Sequence, residues 1–406
     1  MDKLLFLRRR KLKAVVLAAG KGERLEPITH TRNKTLAPLL GETLLERTIN
    51  ILSEFVDEIY LIVDNPEQFT SIINNPILRV VVQEEQKGTA FALKSVNLND
   101  EFILVYGDIY ADSGLFSKVA SCSGNCVVGV EVGNPNEYGV LNYQNDRLVE
   151  IIEKPEVFIG NYVNAGIYKF SEKIFNYIDK ISPSVRGEYE LTDAVNLLAK
   201  ENEVKVITYS GTWLDVGRPW QVIELNKLAL QKIETKIEGE IEREVKIKGR
   251  VIIERGARIR GCSYIEGPAY IGSNTEVGPN AHIRPYTVIG RGAKVGTSVE
   301  VKESVIMENT KIPHLSYVGD SVICESVNLG AGTITANLRF DEESVKVNVR
   351  GVKVSSGRKK LGAFIGGYVK TGINVSIMPG VKIGAYSIIY PNKVVDRDVN
   401  KGEILK

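Results

Sequence analysis

From Leu12 to about Gly211, short aliphatic runs alternate with stretches whose apolar residues recur at helical spacing: KAVVLAA, then GETLLERTINILSEF, EIYLIV, GTAFALKSV and EFILVYGD. Apolar runs of this length read as buried strands, and strands separated by helical stretches build a mostly parallel sheet covered by helices. The expectation for this part is an α/β domain. From Pro219 to Ile233, the residues Val222, Asn226, Ala229 and Ile233 fall at helical spacing and predict a connecting helix.

Beyond that helix the period becomes six: Ile247, Ile253, Ile259, Ile265, Ile271, Val277, Ile283, Ile289, Val295, Val301 and Met307. A six-residue repeat is one side of a triangular coil. Each short strand stacks on its counterpart three sides later, and the inward aliphatic residues form a continuous core. The period resumes at Ile365 and runs through Ile377, Ile383, Ile389 and Val395, with Thr371 as the exception. The expected order is an N-terminal extension at 1–11, an α/β domain at 12–218, a connecting helix and linker at 219–240, and a parallel β-helix at 241–406.

Two interruptions break the repeat. Pro313 takes the slot after Met307 and is followed by His314, Leu315, Ser316 and Tyr317; later, Thr335 to Leu361 form a polar excursion. Regular turns of a coil are scaffold, so departures from them are where sites are sought.

Composition narrows the function. The chain is 43% hydrophobic and 25% charged, which excludes a disordered or fibrous protein. Lys plus Arg 52 against Asp plus Glu 50 leaves +2, far from the excess that binding a nucleic-acid backbone requires. The 4 cysteines form neither a disulfide framework nor a paired zinc motif, and no uncharged apolar run approaches a membrane span. A cytoplasmic protein without a membrane partner is expected, with contact between the basic run Arg8 to Lys13 and an anionic surface as the alternative.

The segment KAVVLAAGKGERLEPITHTRNKTLAPL passes from a buried-type strand through Gly20 and Gly22 and then supplies Arg24 and Lys34. Glycines let backbone N–H groups approach phosphate oxygens, and two cations offset the charge of a triphosphate. It is not a Walker loop, because no Gly-Lys-Ser/Thr follows, and it lacks the third glycine of the dinucleotide fingerprint. On spacing alone an ordinary strand-to-loop turn fits as well.

LAAGKGERL with Lys34 and Pro38 resembles the signature of sugar-1-phosphate nucleotidylyltransferases, which implies a Rossmann-like nucleotidyltransferase domain. The resemblance implies nucleotide contacts at Ala19, Gly20, Gly22, Gln83, Gly88 and Thr89, with Arg24 and Lys34 on the triphosphate. It implies Asp108 and Asp215 as ligands of Mg²⁺, and sugar-phosphate contacts at Gly139, Glu153, Lys154 and Asn164. Asn33 and Lys87 depart from the family's pattern without removing a charge or donor. UTP and dTTP both remain open as the nucleotide.

IRPYTV, VEVKES, HLSY and VNLGAGTITANL resemble, in order and spacing, the acetyltransferase domain of the bifunctional enzymes that acetylate glucosamine-1-phosphate and then uridylylate it. The hexapeptide-repeat resemblance implies that the coil is left-handed. It also implies Arg284 and Lys302 on the sugar phosphate, His314 as general base, and Tyr317 and Asn337 on the amino sugar and thioester. Gly330 and Ala331 would meet acetyl-CoA. An amine attacking a thioester must lose a proton, and a neutral imidazole suits that task. Of the 3 histidines, His30 lies in the glycine-rich segment, His282 precedes a regular aliphatic slot, and only His314 sits in a break of the repeat. Family members carry a short lysine-containing loop after the asparagine. Here NLRFDEESVKV offers Arg339 and Lys346, with Glu343 near the expected lysine position, so glucosamine and galactosamine both remain open. The basic run VKVSSGRKKL is read either as a contact for coenzyme A phosphates or as a solvated loop. A homotrimer is expected, with the excursion reaching a neighbour. The competing reading is a nucleotidylyltransferase whose coil only assembles or regulates it.

Overall fold

A computed structural model describes residues 12–184 and 187–406; the expected extension at 1–11 lies outside the described residues. The chain divides into two compact units. One comprises the described residues up to Gly20 together with Leu44–Asp215, and the other comprises Lys21–Thr43 and Val216–Lys406. Lys21–Thr43, here called the strap, thus packs with the coil although it falls between two parts of the first unit in sequence.

The first unit is built on a nine-stranded sheet. Leu78–Val82, Glu58–Val63, Lys13–Leu17 and Phe102–Tyr106 lie side by side and parallel. The aliphatic residues of the three inner strands are buried, as near-continuous apolar runs require, whereas the edge strand leaves Val80 and Val81 half-buried and Val82 exposed. Tyr162–Phe170 then runs antiparallel to Phe102–Tyr106 and to Asn125–Glu131. Val204–Tyr209, Arg147–Glu153 and Gly139–Gln144 complete the far side. The predicted connecting helix forms at Gln221–Leu230 in the second unit, with Val222 and Asn226 buried against it.

The second unit is a parallel β-helix. Ile253, Ile271 and Ile289 stack in register on one side, Ile259, Val277 and Val295 on the next, and Ile265, Ile283 and Val301 on the third. All are fully buried. Ile283→Ala should cost about 2–5 kcal/mol, because neighbouring turns hold the cavity open. Chemical denaturation followed by circular dichroism checks this.

The period departs from the sequence reading after Val301. Ile306, not Met307, stacks on Ile289, and Ile312, not Pro313, stacks on Val295. The corner Val301 to Ile306 is one residue short, and so is Val318 to Ile323 one turn later. Ser304 and Ser321 make the short corners possible, because the Ser321 N–H donates to Ser304 Oγ (3.0 Å) and the Ala363 N–H donates to Ser321 Oγ (2.9 Å). Thr371 breaks the aliphatic series for a similar reason. Its hydroxyl accepts from the Gly330 N–H at 2.9 Å and meets Thr333 Oγ1 at 3.1 Å inside the coil. The excursion leaves from the edge of the short corners, one turn after Ser321, and closes where the Leu361 N–H donates to the Asn337 carbonyl at 2.9 Å. It forms an antiparallel hairpin, Lys346–Val349 with Val352–Ser355, whose Val345 and Val347 are buried.

Candidate functional sites

In the first unit, Asp108 follows the end of Phe102–Tyr106 and is 5% exposed. Trp213–Asp215 pairs antiparallel with Ile109–Ala111, and the register sets Asp215 opposite Ile109, so the two expected metal carboxylates come to neighbouring strand positions. A magnesium ion takes one or two carboxylates and completes its shell with water and phosphate oxygens, which this pair fits.

Gln83 follows the strand Leu78–Val82, is buried, and is held by its Nε2 donating to the Glu85 carbonyl at 2.8 Å. Gly88 has φ 105°, and a Cβ there would stand 2.5 Å from the Tyr189 carbonyl oxygen, so only glycine fits. Thr89 begins the next helix and accepts the Leu191 N–H at 3.0 Å. Ala19 is buried and Gly20 exposed after the first strand.

The expected sugar-phosphate contacts fall on adjacent strands. Gly139 pairs with Glu153, and the Lys154 N–H donates to the Tyr138 carbonyl at 2.9 Å. Val163, next to Asn164, pairs with Val140. Asn164 Nδ2 donates to the Tyr168 hydroxyl, which lies 3.5 Å from that of Tyr106. Burial raises the pKa of both phenols, keeping them as neutral hydrogen-bonding groups.

Gly22, Arg24 and Lys34 belong to the strap in the second unit. Gly22 has φ 67°, and a Cβ there would lie 2.9 Å from Lys34 Cβ, so the strap doubles back and brings these positions together. Arg24 is exposed and Lys34 half-buried.

Elsewhere in the second unit, the short corners and the excursion assemble a polar cluster. Lys302 Nζ donates to both carboxylate oxygens of Asp320 (2.9 and 2.8 Å). Asn337 Nδ2 donates to Asp320 Oδ2 at 2.6 Å and to the Tyr317 hydroxyl at 3.0 Å. Arg358, on the returning arm of the excursion, reaches Glu303 Oε1 at 2.7 Å and Asp320 Oδ1 at 3.4 Å. Asp320 is 1% exposed, a buried carboxylate compensated by several donors. Burial is the largest cause raising the Tyr317 pKa, followed by Asp320 and Glu300. Arg284 pairs with Glu300 at 2.9 Å.

His314 ends the strand Lys311–His314 with its side chain exposed, in register with Thr297 and three residues before Tyr317. The other two histidines are engaged. His282 Nε2 meets Glu266 Oε1 at 2.8 Å and stacks on Tyr264, and His30 Nδ1 accepts the Ala385 N–H at 3.2 Å. Gly330 lies where a Cβ would be 2.3 Å from the Gly372 carbonyl oxygen, and Ala331 follows it. Lys346 stands exposed on the hairpin, outside the Asp320 cluster. Asp320 is in none of the motifs singled out in the sequence, and Glu303 and Arg358 lie inside VEVKES and VKVSSGRKKL without being marked as partners of this cluster. The missing residue in two successive corners marks Asp320 and Glu303, and it shows in the register of neighbouring turns.

This arrangement is that of a nucleotidyl transferase joined to a coiled β-helix. A nucleotidyl transferase family model matches residues 13–232, and a GMPPB C-terminal domain model matches residues 265–405. The bifunctional sugar-1-phosphate nucleotidylyltransferase/acetyltransferase of Sulfurisphaera tokodaii is 54% identical over 97% of this chain and 100% of its own length. The bifunctional protein GlmU of Methanocaldococcus jannaschii is 48% identical over 95% of each chain. A crystal structure from Bacillus anthracis, described as a glucose-1-phosphate thymidylyltransferase with sucrose, covers 55% of this chain and 97% of its own at 29% identity and TM-score 0.50. The chain belongs to the family of bifunctional sugar-1-phosphate nucleotidylyltransferase/acetyltransferases. Among the described residues, no helix is long and apolar enough to cross a membrane.

Proposed function

We propose that this enzyme joins UTP or dTTP to a sugar-1-phosphate with release of pyrophosphate, and N-acetylates glucosamine-1-phosphate or galactosamine-1-phosphate with acetyl-CoA. The carrying observation is that a relative alike over the full chain is named for both activities, so neither half is left without a counterpart.

In nucleotidyl transfer, a phosphate oxygen of the sugar attacks the α-phosphorus and pyrophosphate leaves. Alignment and charge neutralisation do most of the work, and no protein nucleophile is required. Arg24 and Lys34 hold the triphosphate, Gln83, Gly88 and Thr89 hold the base, and Lys154 pairs with the sugar phosphate. Asp108 and Asp215 would hold Mg²⁺, which when bound neutralises charge on the phosphate oxygens. Lys34→Ala should raise the nucleotide KM, whereas Lys154→Ala should raise the sugar-phosphate KM. Initial rates with each substrate varied in turn check this, and matching profiles for the two variants would refute the division of roles.

In acetyl transfer, His314 takes the proton of the attacking amine while Arg284 and Lys302 hold the sugar phosphate. Asn337 and Tyr317, fixed through Asp320, orient the amino sugar and the thioester. Gly330 and Ala331 offer backbone to acetyl-CoA. A panel of nucleoside triphosphates and sugar phosphates assayed for pyrophosphate, beside amino-sugar phosphates assayed for free thiol, tests both halves.

The acetyl-transfer site is completed in a homotrimer. Leu315 beside His314 is 65% exposed, and Leu338 and Phe340 beside Asn337 are exposed as well. An apolar rim around a polar site fits burial by a neighbouring coil, with Lys346 facing the partner's site. Light scattering over a dilution series, with thiol release in parallel, should show activity lost on dissociation. A fully acetyl-active monomer would contradict it.

A further inference from the structure

The strap is fastened to an edge of the coil away from the Asp320 cluster. Arg32 Nη2 lies 2.8 Å from Glu308 Oε1 and 2.6 Å from Glu325 Oε2. Glu308 and Glu325 each stand two residues past a stacked core residue, Ile306 and Ile323, so they occupy equivalent positions in successive turns. The Arg32 and Glu325 side chains are 13% and 9% exposed. The contact continues down the same edge. A Cβ on Gly367 would lie 3.1 Å from Thr31 Oγ1, the Ala385 N–H donates to His30 Nδ1, and Lys401 Nζ reaches the His30 carbonyl at 3.3 Å. At the other end of the strap, Arg350 of the excursion hairpin pairs with Glu23 at 2.7 Å.

A buried ion pair is a weak source of net stability, since desolvation offsets much of the attraction and apolar residues of similar size often serve as well. What two carboxylates from consecutive turns add is a single position for the guanidinium, fixed from two directions. Arg32 lies two residues before Lys34. Between them Asn33 is buried and caps the following turn through Oδ1, which accepts the Thr35 N–H at 3.0 Å. Thr29 Oγ1 donates to the Gly22 carbonyl at 3.0 Å and closes the loop on its other side. Little slack is left between the clamp and the cations.

We propose that Arg32 is a positioning residue for nucleotidyl transfer, and that the coil, through Glu308 and Glu325, sets the place of Arg24 and Lys34. This rests on the reading of those two cations as triphosphate ligands. The coil is then a working part of the nucleotidyl-transfer half as well as the seat of acetyl transfer.

The test uses the full-length chain with UTP, dTTP and glucose-1-phosphate. Arg32→Gln should raise the nucleotide KM by roughly 10- to 10²-fold, the scale of a misplaced contact group. The sugar-phosphate KM and the rate of thiol release should stay at wild-type values. Arg32→Lys should recover part of the loss, and Glu325→Gln should show the same pattern as Arg32→Gln in smaller measure. An unchanged nucleotide KM in Arg32→Gln overturns the proposal, and so does a parallel fall of both activities. If Arg32→Gln does not fold, Glu325→Gln decides by the same two outcomes. Arg24→Ala and Lys34→Ala are assayed beside them. Should these leave the nucleotide KM unchanged, the triphosphate reading fails; should they raise it while Arg32→Gln does not, only the clamp fails.

Discussion

His314→Ala is expected to lower acetyl transfer by roughly 10²- to 10⁴-fold, the contribution of a positioned base, with pyrophosphate release unchanged. The amine of an amino-sugar phosphate is protonated in neutral water and must be free of that proton as it attacks the thioester. His30 and His282 are each held by a structural partner, whereas the exposed His314 stands at the corner leading to Tyr317. Tyr317 belongs to the hydrogen-bonded group of Lys302, Asp320 and Asn337, so the proton acceptor and the groups assigned to orient the substrate lie on one stretch of the coil. Thiol release from acetyl-CoA, measured with pyrophosphate release on the same preparation, checks the prediction. Wild-type thiol release would remove histidine from the mechanism and favour a coil that only assembles the enzyme.

Asp108→Ala should reduce pyrophosphate release by at least roughly 10²- to 10³-fold, the loss expected when a charge-stabilising group leaves a reaction centre. Acetyl transfer should be untouched, since the residues proposed for it lie elsewhere in the chain. Asp108 is nearly buried, so Asp108→Asn is the companion variant: it keeps the volume and removes the charge. Both variants should give the same result. Equal loss of both activities in either would contradict separate sites.

The coil was legible because its inward residues repeat strictly from Ile247 to Val301, and each of them had to be aliphatic to fill the interior. After Val301 the register is not legible in the sequence, because Ile306 and Met307 are adjacent and both apolar, so a missing residue leaves the hydrophobic pattern intact. Only the register of neighbouring turns reveals the short corner, and with it Asp320 and Glu303. Arg358 was hidden for another reason. It sits in a basic run 21 residues after Asn337 and comes back beside Asp320 only because the excursion folds as a hairpin. The glycine-rich segment was legible as chemistry but not as packing. Its motif named Gly22, Arg24 and Lys34, while the Arg32 clamp depends on two carboxylates nearly three hundred residues away.

One chain is expected to perform both transfers at separate sites. The direct measurement supplies one purified preparation with an amino-sugar-1-phosphate, acetyl-CoA, UTP or dTTP and Mg²⁺, and follows thiol, pyrophosphate and nucleotide-sugar together. Thiol and pyrophosphate should both appear, and the nucleotide-sugar formed should carry the acetyl group. Omitting Mg²⁺ should stop pyrophosphate release alone. Pyrophosphate without thiol, across both amino-sugar phosphates, would contradict it.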